Sequence, residues 1–180
     1  MILTWQRLFT KQRRIKLLVF DIDGTLTDGR IYISDQGEFM KAFDAKDGFG
    51  IKRILPMAGI IPAIITGRNS IITERRCKEI GIEFIFQGIE DKFEILQVLL
   101  NRLSLLPEES AFIGDDLNDY SAMKTCGYRA CPADAVREIQ KVSDYISPQR
   151  AGYGAVRDII EHIIKMQRQW NEILKRMCVR

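Results

Sequence analysis

The chain has 180 residues, of which 46% are hydrophobic, and its formal net charge is +3. This length and composition fit one globular domain with a full core. The small charge gives no reason to expect nucleic-acid binding. No apolar stretch is long enough for a bilayer, and the start lacks the apolar core of a secretion signal. Four cysteines without a Cys-x-x-Cys spacing, together with a single histidine, argue against structural zinc. We therefore expect a cytoplasmic protein that does not bind membranes.

Strand-like apolar runs alternate with helical patterns along most of the chain. In chain order the predicted elements are strand 17–21, hairpin 29–43, helix 47–58, strand 61–66, helix 70–80, strand 84–87, helix 91–105, strand 111–114, helix 117–125, a short strand near Arg129, helix 133–142, strand 144–146 and a long helix from Gly154 past Trp170. This alternation predicts an α/β fold, a Rossmann-like parallel sheet with helices on both faces.

The domain organisation follows from the same pattern. Residues 15–164 form the predicted core, which carries the hairpin 29–43 as a flap and has no large cap domain. Residues 1–14 are an N-terminal extension, in which Trp5, Leu8 and Phe9 predict a short helix that docks on the domain. Residues 165–180 are a C-terminal helix or tail.

Acidic and polar residues follow several predicted strands. Asp21 and Asp23 come after the first strand, where residues i and i+2 point the same way, so both carboxylates can face one small space. Crowded anions repel, which indicates a divalent cation or an acid/base pair; the alternative is a solvated turn with capping aspartates. The later strands are followed by Thr66-Gly67-Arg68, by Lys92 at a helix start, and by Gly114–Asp119. Ligands of parallel sheets bind beyond these carboxyl ends, so we expect the four sets to converge.

The acidic residues fit a magnesium site for phosphoryl transfer. The carboxylates of Asp21 and Asp115 and the backbone carbonyl of Asp23 predict a hard oxygen site for Mg²⁺. Either Asp119 or Asp116 is expected to hold water bound to the metal, in the second shell of ligands.

The catalytic roles follow from the same residue types. Asp21 is the predicted nucleophile, which forms an aspartyl-phosphate. Asp23 is the predicted acid that protonates the leaving oxygen and later takes a proton from water. Thr66 and Lys92 are expected to bind the equatorial oxygens of the phosphoryl group.

These motifs resemble those of the haloacid dehalogenase superfamily. The resemblance rests on Asp21-Ile-Asp-Gly-Thr, Thr66-Gly67, Lys92 and Gly114-Asp-Asp-x-x-Asp, and runs from about residue 16 to about residue 164. It implies a Mg²⁺-dependent aspartyl nucleophile at Asp21, with Asp23 as acid and base.

A narrower resemblance is to the 3-deoxy-D-manno-octulosonate 8-phosphate phosphatases of lipopolysaccharide biosynthesis. It rests on residues 27–30, 41–51, 65–70 and 87–88 and on the segment 152–158. That family has no large cap; it forms homotetramers in which the flap builds the assembly and a neighbouring subunit closes each active site. The resemblance implies that Arg68 and Lys41 lie near the phosphate or carboxylate of the sugar acid, with Gly67 and Gly48 among the substrate-binding residues.

Two departures from the family pattern leave the substrate open. Lys46 stands where the family usually has Arg, and the late glycine motif begins at Ala151. The alternatives are a phosphatase for a 9-carbon acid (KDN 9-phosphate or N-acylneuraminate 9-phosphate) and a non-catalytic module that partners a cytidylyltransferase. The presence of all four catalytic motif residues favours an enzyme.

The flap predicts contact between copies of the chain. A lone two-stranded hairpin is only marginally stable in water. We therefore expect its apolar residues to be partly buried between subunits; they are Ile31, Tyr32, Ile33, Phe39 and Phe43.

Overall fold

The computed structural model describes residues 14–179. The elements in chain order are β1 (Leu17–Phe20), β2 (Tyr32–Ser34), β3 (Gly37–Met40), α1 (Ala45–Phe49), a π-helical turn (Gly50–Ile54), α2 (Leu55–Ala58), β4 (Ile61–Ile65), α3 (Ile71–Glu79), β5 (Phe84–Phe86), α4 (Lys92–Leu103), β6 (Ser110–Ile113), α5 (Tyr120–Thr125), β7 (Tyr128–Cys131), α6 (Arg137–Val142), β8 (Tyr145–Ile146), α7 (Ala155–Met166) and α8 (Trp170–Arg176). The predicted docking of Trp5, Leu8 and Phe9 lies outside the described residues.

The main sheet has six parallel strands in the order β5-β4-β1-β6-β7-β8. The chain builds outward from β1 to β4 and β5 on one side, and then returns to add β6, β7 and β8 on the other. This reversal beside β1 opens a crevice at the carboxyl ends of the strands, the usual ligand position in such sheets.

Both faces of the sheet are covered by helices, as the alternating pattern predicts. Along β1, Leu18 and Phe20 face one apolar cluster, which the helices α2, α3, α7 and α8 complete. Leu17 and Val19 face a second cluster, which α4, α5 and α6 complete. Because successive strand residues point to opposite faces, a strand between two helical layers must be apolar throughout, and β1 is fully buried.

The C-terminal region differs from the predicted single long helix. The helix α7 ends at Met166, and Arg168 has a φ of 58°, which ends the helical conformation. The helix α8 then begins at Trp170 and packs Ile173 into the core. The predicted boundary between residues 164 and 165 therefore falls inside α7, and α8 is part of the core packing.

Other predicted helix bounds were also too long. The predicted helix 133–142 begins only at Arg137, and Leu117–Asp119 forms a 3₁₀ turn before α5. Conversely, α1 begins before the predicted start, because Asp44 caps it by accepting hydrogen bonds from Lys46 and Asp47 backbone N–H groups. Within residues 14–179 no helix has the length and apolarity that crossing a bilayer requires.

The amino end of the sheet carries an apolar groove. Its cavity of about 470 Å³ lies where β4 and β5 begin, and its lining includes Pro56, Ile60, Phe84 and Leu103. The groove is at the end of the strands opposite to the acidic residues.

Candidate active site

Three carboxylates meet at the carboxyl end of the sheet, as the strand-end pattern predicts. Asp21 follows β1 and Asp115 follows β6, while Asp119 reaches back from the 3₁₀ turn. One oxygen from each lies within 4.8 Å of the others. The backbone N–H of Asp21 donates to the Ile113 carbonyl at 3.0 Å, which continues the pairing of β1 with β6 into the site. The sheet itself therefore sets the distance between Asp21 and Asp115.

The loop after β1 fits closely around Asp115. Gly24 has a φ of +94°, and a Cβ at this position would overlap the Asp115 carboxylate. The Thr25 hydroxyl donates to Asp115 Oδ1 at 3.0 Å. Only glycine satisfies both the backbone conformation and the space at residue 24, so the Asp-x-Asp-Gly-Thr pattern has a steric basis here.

Lys92 lies between two of the carboxylates. Its Nζ donates to Asp21 Oδ1 and to Asp119 Oδ1, both at 2.6 Å, and its side chain is fully buried. Asp119 uses its other oxygen to accept the backbone N–H groups of Asp115, at 2.9 Å, and Asp116, at 3.3 Å. Lys92 therefore orients the predicted nucleophile, and Asp119 orients both Lys92 and the backbone that carries Asp115.

The crowded carboxylates have shifted pKa values. Burial, followed by the charge of Asp119, raises the pKa of Asp21 to about 7 despite the nearby Lys92. Burial, followed by the charges of Asp21 and Asp119, raises the pKa of Asp115 to about 8. Burial alone would lower the pKa of Lys92, but the charges of Asp21 and Asp119 outweigh it and raise that pKa.

The donor set fits a hard divalent cation. Three ionised carboxylates and one ammonium leave two negative charges in a largely buried space, and a dication would balance them. Carboxylate oxygens are the ligands that Mg²⁺ prefers in proteins. Asp21 and Asp115 stay the predicted ligands, and Asp119 is the third carboxylate of the cluster. Asp23 contributes to the predicted set through its backbone carbonyl, which remains a prediction.

The carboxylate of Asp23 faces the flap. Its Oδ1 forms an ion pair with Lys41, whose side chain is 1% exposed. Its Oδ2 is buried without a hydrogen-bond partner, and Nε of the half-exposed Arg68 lies 3.8 Å from it. The structure thus brings Lys41 and Arg68 to the predicted acid and base.

Two further residues of this network were missed at the sequence level. Glu38 of β3 lies 3.2 Å from the Lys41 ammonium and accepts a hydrogen bond from the Ser70 hydroxyl. Ser70 caps α3 through the Thr73 backbone N–H at 3.1 Å. The only signal for this contact was the position of Ser70 at a predicted helix start, and Glu38 resembled a solvated strand residue.

The remaining predicted residues lie at different distances from the cluster. Thr66 is buried at the end of β4, and the following Gly67 lies beside the Ile89 carbonyl and Asn118. Asp116 is exposed and caps its own turn through the Leu117 N–H at 2.7 Å, so Asp119 and not Asp116 joins the cluster. Gly48 packs against Arg76 of α3. Its assignment to the substrate stays a prediction.

Comparison with known proteins supports this architecture. The family model described as haloacid dehalogenase-like hydrolase matches residues 76–160. The chain is 39% identical to the 3-deoxy-D-manno-octulosonate 8-phosphate phosphatase KdsC of Salmonella typhi over 163 residues, which cover 91% of this chain and 86% of that protein. The corresponding protein of Escherichia coli K12 is 38% identical, over 90% of this chain and 86% of its own.

The chain belongs to the 3-deoxy-D-manno-octulosonate 8-phosphate phosphatase family. The solved structure of the Moraxella catarrhalis phosphatase, in complex with magnesium, phosphate and KDO, superposes with a TM-score of 0.88 at 38% identity, covering 96% of this chain and 99% of that one. The cobalt-bound Haemophilus influenzae enzyme gives a TM-score of 0.84 at 34% identity, over 87% and 91% of the two chains. The predicted superfamily and the predicted fold class are thereby confirmed.

Proposed function

We propose that this chain is a phosphoric monoester hydrolase that converts 3-deoxy-D-manno-octulosonate 8-phosphate to the free sugar acid and inorganic phosphate, with Mg²⁺ as cofactor. The observation that carries this function is the arrangement of the buried Asp21, Lys92 and Asp119 with the half-buried Asp115 at the carboxyl end of the sheet, in a chain of this phosphatase family. An assembled cluster of this kind argues against a non-catalytic module.

The first half-reaction is assigned to Asp21 and Asp23. A carboxylate oxygen of Asp21 attacks phosphorus, and the bond from phosphorus to the sugar oxygen breaks to leave an aspartyl-phosphate. Asp23 gives its proton to the departing sugar oxygen, which leaves as an alcohol. Lys92 holds this carboxylate in place, because its Nζ donates a hydrogen bond to Asp21 Oδ1 at 2.6 Å. When bound, Mg²⁺ offsets the repulsion between the anionic nucleophile and the anionic phosphate.

The second half-reaction releases phosphate. Asp23, now ionised, takes a proton from a water molecule, whose oxygen attacks phosphorus and frees the Asp21 carboxylate. Thr66 is placed at the end of β4, where its hydroxyl can donate to a phosphoryl oxygen that gains negative charge in the transition state. The side chains of Lys41 and Arg68 supply the positive charge that a sugar acid carboxylate or phosphate needs near Asp23.

The flap supports a further proposal, that the active protein is a homotetramer in which a neighbouring subunit closes each site. Ile33 and Phe39 of the flap are both 70% exposed, and a lone two-stranded hairpin is only marginally stable in water. A second apolar set surrounds the site, where Ile71, Phe93 and Leu117 follow Ser70, Lys92 and Asp116 directly and remain exposed. Contact between the flap of one copy and this second apolar set on another copy would bury apolar side chains of both. Phe43 is different, because it packs against the core of its own chain.

The cytoplasm is the proposed location. Cys77, Cys126, Cys131 and Cys178 are all free thiols, which suits a reducing compartment.

A phosphate-release screen tests the activity. The purified protein is assayed with Mg²⁺ against a panel of sugar phosphates that includes the 8-carbon and the 9-carbon keto-deoxy acids. We expect the highest kcat/KM for the 8-carbon substrate, and full loss of phosphate release on chelation of the metal. Preference for a 9-carbon substrate would overturn the proposed substrate, and metal-independent turnover would overturn the mechanism. Sedimentation as a monomer at micromolar concentration would overturn the proposed assembly.

A further inference from the structure

The flap leaves and rejoins the body of the protein at two adjacent points. Thr27 and Phe43 form an antiparallel bridge that closes the base of the hairpin, and the Thr27 hydroxyl donates to the Ile22 carbonyl at 3.3 Å. Residues 28–42 project beyond this bridge. We call the segment around Thr27 and Asp28 the first root of the flap and the segment from Phe43 to Asp47 the second root.

A glycine turn before α7 lies directly on the first root. Gly152 has a φ of +70°, and a Cβ added there would be 2.5 Å from the Asp28 backbone nitrogen and 2.7 Å from the Thr27 carbonyl carbon. These atoms are backbone and cannot move aside without moving the root. The turn that contains Gly152 therefore fixes the position of the first root.

A buried carboxylate joins the second root to the same helix. Asp47 is 1% exposed, and its Oδ1 accepts the Arg157 backbone N–H at 2.6 Å. This N–H lies in the first turn of α7, where the free N–H groups of a helix favour an anion. Packing adds to the contact, because a Cβ on Gly50 would be 3.2 Å from both Arg157 Cδ and Ile160 Cδ1.

Holding the start of α7 with the buried Asp47 carboxyl lowers the stability of the fold. Its Oδ2 is buried without a hydrogen-bond partner, and burial raises the pKa of this carboxyl to about 7, with a smaller contribution from the charge of Asp44. A buried and incompletely satisfied polar group costs stability. None of the hydrogen bonds described above joins Asp47 to the catalytic cluster.

The two anchored roots determine where Lys41 lies. Lys41 is two residues before Phe43, and its buried ammonium pairs with Asp23 and Glu38. We propose that Asp47 is a positioning residue for the phosphatase reaction, which fixes the second root of the flap on α7 and thereby holds Lys41 against Asp23. This proposal rests on the proposed function only for its consequence in catalysis; its structural part is independent of the substrate.

The first test measures the position of Lys41 without any substrate. The reactivity of each lysine with an amine-acylating reagent is measured by mass spectrometry in the wild type, Asp47→Ala and Asp47→Asn. We expect Asp47→Ala to increase labelling of Lys41 about tenfold, because its burial depends on the root, while Lys52 and Lys165 keep their wild-type rates. Asp47→Asn retains an oxygen acceptor for the Arg157 N–H and should label like the wild type. Unchanged labelling of Lys41 in a folded Asp47→Ala variant would overturn the proposal.

A matched control separates positioning from general loss of stability. Ile139→Ala removes a buried side chain from α6, in the cluster on the other face of the sheet. At temperatures chosen to give both variants the same fraction unfolded, Ile139→Ala should leave Lys41 protected. Equal Lys41 labelling in the two variants would mean that Asp47 acts through global stability alone, which contradicts the proposal. Gly152→Ala, which displaces the first root, should reproduce the Asp47→Ala result.

Kinetics test the consequence in catalysis. We expect Asp47→Ala to lower kcat/KM for the sugar acid phosphate about tenfold, since small misplacements of groups around a substrate have effects of this size. Hydrolysis of p-nitrophenyl phosphate, which has no sugar acid to meet the flap, should change less than about threefold. Asp47→Asn should restore the sugar acid rate. Equal losses on both substrates would overturn the proposed role in positioning. If the wild type lacks the sugar acid activity while the labelling result holds, the proposed function fails and the flap anchor stands.

Discussion

The two ends of the sheet are built from the same strands but have opposite character. At the carboxyl end, the buried side chains of Asp21, Lys92 and Asp119 form ion pairs with Nζ–Oδ1 distances of 2.6 Å. At the amino end, the same layer of β4 and β5 borders a groove lined mainly by apolar residues such as Ile60 and Leu103. Between them β1, β4 and β5 carry only apolar side chains, so the buried ion pairs lie at the carboxyl end. Substitutions at the carboxyl end should therefore change the chemistry, while those at the amino end should change only stability.

The largest effect is expected for Asp21, the proposed nucleophile. Asp21→Asn should lower kcat at least about a thousandfold, because loss of a nucleophile removes the covalent route. Since burial and the charge of Asp119 already raise the pKa of Asp21, the neutral side chain should also increase thermal stability at pH 8 in the absence of metal. Steady-state kinetics and thermal denaturation give the two results. Retained turnover would contradict the assignment of Asp21.

The next effect is expected for the buried cation. Lys92→Met leaves Asp21 and Asp119 facing each other without their shared partner, and breaking a buried ion pair typically costs about 3–5 kcal/mol. Denaturant unfolding measures this loss, and phosphate release should fall with it. The matched control is Lys165→Met, which removes an exposed lysine paired with Glu161 and should change stability by less than about 1 kcal/mol. Equal losses of unfolding free energy in the two variants would contradict the expectation that the buried lysine contributes more to stability than the exposed one.

Magnesium should stabilise the carboxyl end in a pH-dependent way. The pKa values of Asp21, about 7, and Asp115, about 8, lie above the ordinary value of 3.8, so the metal-free folded state binds more protons than the unfolded state. Its free energy of unfolding should then fall as the pH rises from about 4 to about 8.

A cation that binds the ionised carboxylates opposes this fall. At a hundredfold excess over its Kd, Mg²⁺ should add about 2.7 kcal/mol, or roughly 5–10 °C in Tm. The increase should be larger at pH 8 than at pH 6, as measured by thermal denaturation with and without the metal. The same Tm at both pH values, with no response to Mg²⁺, would show that these carboxylates do not bind it.

A smaller effect is expected at the flap. Glu38→Gln keeps a side chain that reaches Ser70 but removes the charge that faces Lys41. The difference between a charged and a neutral hydrogen bond is about 1 kcal/mol, so kcat/KM should fall about fivefold. Glu172→Gln on α8, which removes an exposed charge paired with Arg176, is the control and should leave the kinetics unchanged. No difference between the two variants would exclude Glu38 from the flap network.

The smallest effect on catalysis is expected at the groove. Leu103→Ala shortens a half-buried side chain of the lining and should reduce stability by about 1–2 kcal/mol, less than at a fully buried leucine. The kcat/KM value should stay within about twofold of the wild type, because no catalytic residue lies at this end. A large loss of activity in a stable variant would show that the two ends are coupled.

The sequence predicts the site well where geometry follows from strand periodicity. A parallel sheet brings the carboxyl ends of its strands to one edge, so Asp21 and Asp115 could be placed together before any coordinates were known. The partners of Lys92 could not be predicted, because they depend on how deeply the first turn of α4 enters the site. Lys92 was expected to bind phosphoryl oxygens, and the structure places its ammonium between Asp21 and Asp119.

The contacts that could not be predicted join distant segments without a local signal. Glu38 and Ser70 are 32 residues apart, and Asp47 and Arg157 are 110 residues apart, so neither pair leaves a periodic pattern. The end of α7 could not be predicted either, because Arg168 adopts a left-handed conformation and neither a glycine nor a proline indicates it. Tertiary packing decides all three.

The contacts that α7 and the turn before it make with the two roots of the flap limit how copies of the chain can associate. Hairpins that hang from a single loose hinge are readily exchanged between identical chains, which produces interlocked dimers. Here Gly152 packs the turn before α7 against the first root, and Asp47 bonds the second root to the start of α7. Exchange would require both ties to break together, so we expect the flap to stay with its own chain.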